Sequence, residues 1–502
     1  MSELLPTIQA DAIRAALLDY LGTTFTLADD DARQSLTDFV SDPERGIFKG
    51  PYLRLRLPFR PADEGWRDHL DWYEGPTPYG HQAAAFARLT SADLGPDKPR
   101  PLPTLVTTGT GSGKTEAFLY PILDHVLRAQ RAGVTGMKAL ILYPMNALAN
   151  DQASRLAKLI TGYEGLSGVR AALYTGQKDV RRTKVSPDGL INDRRIIRDT
   201  APDIVLTNYK MLDQLLLRPD DAPVWRQSAH SLQYLVLDEF HTYDGAQGTD
   251  VAMLLRRLGL ALKHYWTDDD PSITDAERAR PLGHITPVAT SATLGDRNDP
   301  VAMLDFARTV FGEDFGDDAV LTESRLTYDE WAADASDRVA TQGFRAYDVD
   351  TDLVTRITTA VAELPSGADG RSRAEVVLRE LYSDGVNWPD LAKANESVLL
   401  SLVKAHPLTR RLTHGATQAV AVRDLTQHAW DPERIPAEPR PGSYGCLPPR
   451  RRLHLQPRPR RGRTRRAHRR DSPVDPRANA HPPHRDSHSA LPMGRRRRGH
   501  RA

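Results

Sequence analysis

The sequence predicts an α/β fold, a parallel sheet with helices on both faces, and three observations carry the prediction. From Gln82 to about Phe311, short β-prone runs alternate with amphipathic helical stretches: Thr104–Thr107, Ala139–Tyr143, Ala171–Tyr174, Ile204–Thr207, Tyr234–Leu237 and Thr286–Thr290. A glycine-rich loop, Thr108–Thr115, falls on the first strand-to-helix turn. The remaining polar motifs, apart from Tyr79–Gln82, each follow a strand, and ligands of such sheets bind beyond the carboxyl ends of the strands.

In chain order, residues 1–75 read as an N-terminal accessory segment. Ile8–Leu21 has helical apolar spacing, Asp29–Val40 suits a second helix, and Gly50–Phe59 alternates leucine with arginine like a half-exposed strand. Pro76–Pro78 marks a turn, after which Tyr79-Gly80-His81-Gln82 opens the helix Ala83–Leu89. The loop Thr108-Gly109-Thr110-Gly111-Ser112-Gly113-Lys114-Thr115 then gathers what a nucleoside triphosphate needs. Gly111 and Gly113 let the backbone pass close to phosphate, and the N–H groups from Thr110 through Ser112 to the helix start face negative charge. Lys114 suits the β/γ-phosphates and Thr115 suits Mg²⁺. A strict G-x-x-x-x-G-K-[ST] pattern wants glycine at 108, where threonine stands. Further on, Leu235-Val236-Leu237 delivers Asp238 and Glu239 at a strand end. A nucleotide hydrolase needs one acid to hold Mg²⁺ and one to orient or deprotonate water, and Asp238 suits the first task, Glu239 the second.

Residues 313–440 change character, with helical stretches at Leu353–Leu364, Ser372–Leu381 and Leu391–Leu402, and read as a helical insertion or linker. Residues 441–502 hold 18 Arg and 3 Asp with no Lys or Glu, a net +15 that leaves −14 on residues 1–440 against a whole-chain +1. Such a tail, without apolar periodicity, is expected to be disordered. It is either a basic arm for nucleic acid or an out-of-frame product of a GC-rich coding sequence. The second is favoured because evolved arms mix the two cations.

Composition bounds the rest. Hydrophobic content of 40% and charged content of 26% are those of a globular protein. No apolar run approaches eighteen residues and the N-terminus lacks a signal pattern, so a cytoplasmic protein without membrane association is expected. Cys446 is the only cysteine, which excludes a disulfide framework and a multi-cysteine metal site.

Taken as a set, Thr108–Thr115, Asp238-Glu239-Phe240-His241 and Ser291-Ala292-Thr293 resemble motifs I, II and III of the superfamily 2 DEAD/DEAH-box ATP-dependent helicases, over about residues 76–312. The resemblance implies a RecA-like ATP-binding domain there, with threonine tolerated at 108. Gln82 would be the adenine reader of a Q-motif. Lys114, Asp238, Glu239 and His241 would carry catalysis, and Ser291, Ala292 and Thr293 would couple nucleotide to nucleic acid. Tyr143–Gln152 resembles motif Ia, so Asn146 and Ala147 would meet a backbone phosphate. Tyr174-Thr175-Gly176 and Thr207-Asn208-Tyr209 resemble the next strand-contacting turns, which brings in Thr175, Gly176, Thr207 and Asn208. The stretch Asp238–Asp250 resembles bacterial helicases of the DNA-repair or phage-defence type, so DNA rather than RNA is the expected polymer.

The sequence departs from that family after Thr293, where no second motor core is found and no arginine stands in a strand-loop-helix context. The expectation is therefore an N-terminal motor half cut short by a frameshift or early stop, binding ATP and Mg²⁺ but hydrolysing weakly unless a separate chain supplies the other half. The rival is a non-enzymatic nucleotide-sensing module whose tail grips nucleic acid.

Overall fold

The computed structural model describes residues 6–425, apart from 26, 43, 96–97, 110, 178–179, 293–299, 342–343, 366–367, 369, 383–395 and 423. The tail at 441–502 lies outside the described residues, as do Thr110, Thr293 and the first part of Leu391–Leu402.

Seven strands form one sheet: β1 (Thr104–Thr107), β2 (Ala139–Tyr143), β3 (Ala171–Leu173), β4 (Ile204–Asn208), β5 (Tyr234–Leu237), β6 (Thr286–Ser291) and β7 (Val320–Thr322). Their spatial order is β3-β4-β2-β5-β6-β1-β7 and every pairing is parallel. All carboxyl ends therefore open on one edge. The six expected strands are present within a residue at each end, while β7 extends the sheet past residue 312 on a short Val-Leu-Thr run.

Strand alternation fills two cores, as a parallel sheet covered on both faces requires. Leu140, Leu142, Val205, Leu235 and Leu237 face one layer, where Val251, Leu254, Leu255, Leu258 and Leu262 of the helix Gly245–Lys263 pack. Ala139, Ile141, Ile204, Leu206 and Val236 face the other. There they meet α1 (Gly80–Leu89), α2 (Lys114–Arg131) and α3 (Asn146–Gly162) through Leu89, Phe118, Ile122, Leu156 and Ile160. Burying side chains of this size stabilises by roughly 1.5–3 kcal/mol each, which makes the sheet the rigid frame of the loops at its edge.

Beyond β7, helices at Tyr328–Thr341, Thr351–Ala362, Gly370–Leu381, Glu396–Ala405 and Pro407–Gly415 close around a core of their own, including Phe344, Leu353, Leu378, Tyr382 and Leu402. The N-terminal segment is joined to this lobe. Tyr52–Leu53 pairs antiparallel with Val420–Ala421, and Arg60 holds Glu330 through two 2.7 Å bonds. Further along, the Asp71 amide donates to Asp124 at 2.7 Å and the Trp72 indole to the Tyr120 carbonyl at 3.2 Å, which seats the segment on α2.

Candidate nucleotide site and adjoining groove

The loop after β1 is shaped by glycines in the left-handed region, Gly111 at φ 78° and Gly113 at φ 76°. Gly113 is the residue preceding α2, and a Cβ there would lie 2.2 Å from the Gln82 Nε2, so conformation and space both demand glycine. Two side chains from the start of α1 hold the loop. His81 Nε2 meets the Ser112 carbonyl at 2.8 Å, and the Gln82 amide donates to the Gly113 carbonyl at 3.1 Å while accepting the Tyr79 N–H at 2.8 Å. Burial pushes the His81 imidazole below its ordinary range, leaving it neutral and able to donate. Ser112 is fully buried and turns its hydroxyl to Thr108 at 2.6 Å. Glu323, just past β7, accepts the Gly109 N–H at 3.0 Å.

Lys114 opens α2 and reaches across the end of β6, its Nζ 3.4 Å from Glu239 Oε1. Asp238 is 5% exposed, and its Oδ1 accepts from the Glu239 N–H at 3.1 Å and from the Thr290 hydroxyl. Among the described residues no hydrogen bond reaches its Oδ2. Burial pushes the Asp238 carboxyl upward, against the Thr290 hydrogen bond and the Lys114 charge that favour the anion. Glu239 has φ 50° and ψ 48°, the one positive φ outside glycine among the described residues. A bulky residue there costs of order 1–3 kcal/mol and persists only when its surroundings over-determine it. The surroundings do so, because Thr242 donates to the Glu239 carbonyl through its amide at 2.9 Å and its hydroxyl at 2.7 Å. The twist aims the carboxylate at Lys114. His241 Nδ1 lies 3.2 Å from the Ser291 hydroxyl and 3.5 Å from Glu239 Oε2, so the imidazole sits between Glu239 and the end of β6. Ala292 follows Ser291 and is partly exposed.

The other half of the edge holds the groove residues. Strands β2, β4 and β3 are neighbours, and the turns after them carry Asn146, Asn208 and Thr175-Gly176 in one row. The Asn208 amide donates to Asn146 at 2.6 Å, and the Asn150 amide to Gln177 at 2.8 Å. Ala147 is exposed in the first turn of α3. Thr207 departs from the expected contact: it is fully buried and gives its hydroxyl to the Tyr174 carbonyl at 2.6 Å, because both faces of β4 are covered up to this position. It supports the Tyr174–Gly176 turn from behind.

A family model described as DEAD/DEAH box helicase matches residues 81–299. Residues 81–299 therefore form a DEAD/DEAH-box helicase domain. Among similar curated proteins, the Druantia protein DruE of Escherichia coli is 27% identical over 36% of this chain and 15% of its own length. The uncharacterized ATP-dependent helicase YprA of Bacillus subtilis is 31% identical over 40% of this chain and 23% of its own length. The ATP-dependent helicase hrq1 of Schizosaccharomyces pombe is 29% identical over 37% of this chain and 15% of its own length. The matched stretch is thus less than a quarter of each relative. Among solved structures, the DUF1998 helicase MrfA bound to DNA aligns over 57% of this chain and 34% of its own, at 23% identity and a TM-score of 0.37, too loose a likeness to carry an argument.

Within the helicase domain, sequence reasoning misses the residues that hold others in place. Thr290 reads only as part of a strand, yet its hydroxyl fixes Asp238. His81 stands unmarked beside Gln82, although an imidazole next to a helix start is a ready partner for a loop carbonyl. Glu323 has no visible role without β7. Gln82 itself, expected to face adenine, spends both ends of its amide on its own helix start and on the loop.

Proposed function

We propose that the helicase domain is the ATP-hydrolysing half of a nucleic-acid motor acting on DNA. The observation that carries this reading is the pairing of Lys114 with Glu239 at 3.4 Å beside the buried Asp238. Residues 76–312, extended by the edge strand through Thr322, form this motor body. The turn from Gly111 to Gly113 and the start of α2 offer N–H groups to the phosphates, and Lys114 leaves Glu239 for the β/γ-phosphates when ATP enters. Asp238 Oδ2 and the Thr115 hydroxyl suit Mg²⁺, a hard cation that takes one or two carboxylates and keeps the rest of its shell for water and phosphate. The ion would neutralise charge on the phosphates. Glu239, freed from Lys114, orients the attacking water and accepts its proton, while His241 and Ser291 relay the state of that carboxylate to the end of β6.

The row Asn146, Thr175-Gly176 and Asn208, with the start of α3, suits a sugar-phosphate backbone whose bases go unread. DNA is the polymer that the likeness to repair- and defence-type helicases favours, and a cytoplasmic setting accompanies it. A second motor domain, from another chain or from further sequence, would supply the arginines that speed phosphoryl transfer by roughly 10³–10⁵. The 502-residue chain by itself is therefore expected to bind ATP·Mg²⁺ and turn it over slowly. Binding is measured with a fluorescent ATP analogue and turnover by phosphate release, each with and without single-stranded DNA. An affinity for the analogue that Lys114→Ala leaves unchanged sinks the reading.

A further inference from the structure

The edge strand β3 borders an open cleft of about 1260 Å³ that the nucleotide site does not use. Its wall is built in part by residues 180–198. Residues 180–192 fold back so that Ile191 pairs with β3, its N–H reaching the Ala171 carbonyl at 3.0 Å while its carbonyl accepts the Leu173 N–H at 2.8 Å. This return covers the strand edge and, with the helix Arg194–Asp199 that follows it, brings arginines to the mouth of the cleft: Arg181, Arg182, Arg194, Arg195 and Arg198 line it.

Their charges are not equally available. Arg198 is committed to Asp221 at 2.6 Å and Arg181 to Asp193 at 3.3 Å. Arg182 is held in shape, its amide donating to Asn192 at 2.6 Å and its side chain lying so close over Gly189 that a Cβ there would sit 3.1 Å from Nε. Arg194 lies over the Tyr174 ring at 5.4 Å, and among the described residues neither Arg194 nor Arg195 has a carboxylate partner, although both are exposed. Two uncompensated guanidinium groups on a body that carries −14 over residues 1–440 are a local departure from its charge. Guanidinium is also the side chain whose forked donors match phosphate oxygens.

We propose that this arginine-lined cleft seats the phosphodiester backbone of the nucleic acid where it leaves the row of turns after β2, β4 and β3. The inference rests on the motor reading and deepens it. Thr175 and Gly176 belong to that row and also line the cleft, as does Asn150 of α3, so a strand crossing the row runs into the arginines without a break. At about 1260 Å³ the cleft also has room for far more than one small anion.

Arginine footprinting on the full chain tests this. Phenylglyoxal labelling followed by mass spectrometry is run alone, with saturating dT20, and with millimolar pyrophosphate, while anisotropy of labelled dT20 reports binding in parallel. Arg194 and Arg195 are expected to label freely in the first condition and to be protected about fivefold or more by dT20 but not by pyrophosphate. Arg198, already paired, serves as the internal control. In salt titrations, Arg194→Ala/Arg195→Ala is expected to lower the dependence of log affinity on log salt by about 0.7 for each single-strand phosphate that an arginine no longer neutralises. Bound dT20 that leaves both arginines reactive, or protection by pyrophosphate alone, overturns the cleft while the motor reading stands. A chain that binds no dT20 at all overturns both.

Discussion

One sheet edge carries two unlike halves. Over β5, β6 and β1 the side chains are buried or half-buried and locked to one another: Thr290 on Asp238, Glu239 on Lys114, Ser112 on Thr108. Over β2, β4 and β3 the polar groups are partly exposed amides and guanidinium groups with short local bonds, such as Asn208 to Asn146. The difference follows from the ligands each half suits. A triphosphate needs donors and acids preorganised to fractions of an ångström, because bond-breaking charge develops at fixed points. A polymer backbone is gripped by many weak contacts that must be released as it moves.

Substitutions in one half should leave the other half's ligand untouched. Glu239→Gln is expected to have the largest effect, lowering phosphate release by roughly 10²–10⁴ as for a lost general base, with nucleotide affinity retained and dT20 affinity unchanged. Lys114→Ala removes a charged hydrogen-bond donor worth about 1.5–3 kcal/mol, so titration should show nucleotide binding weakened by roughly tenfold to a hundredfold while dT20 still binds. A matching loss of dT20 affinity in either variant would mean the halves are one unit. Asn208→Ala, which deletes a neutral hydrogen bond of about 0.5–1.5 kcal/mol, should cost about two- to tenfold in dT20 affinity by anisotropy and nothing in nucleotide binding.

The smallest expected effect is on pH. His81 is held neutral, below its ordinary value near 6.5, by burial. Between that value and its lowered one the unfolded chain takes up a proton that the folded chain refuses, so stability falls as pH drops below about 6.5. Other buried histidines contribute too: His284 and His406 are each pushed down to about 4. The difference between wild type and His81→Gln in urea midpoint isolates the loop's share. That difference should shrink from pH 7.5 to 5.5, and a constant difference would show that His81 carries no such linkage.

The sheet is legible because its strands are short aliphatic runs bounded by turn chemistry, and the strand-end motifs name themselves by residue type. What stays hidden depends on who faces whom. Thr207 and Thr290 look equivalent in sequence, threonines near strand ends, but one hydroxyl props a turn and the other fixes an acid. Thr207 is buried because both faces of β4 are covered, a feature that the motif resemblance does not reveal. The lobe after β7 reads as an insertion because its helices show singly in the sequence. Its independent core depends on Tyr382 and Phe344 meeting across tens of residues, which local spacing does not encode.

The left-handed backbone at Glu239 sets endurance against turnover. Glycine would adopt φ 50° at no steric cost, so Glu239→Gly should melt later than Glu239→Gln even though both lose the carboxylate. The easiest route to a hardier domain thus runs through the residue its chemistry can least spare, and a screen selecting only for heat resistance would tend to collect inert chains at this position.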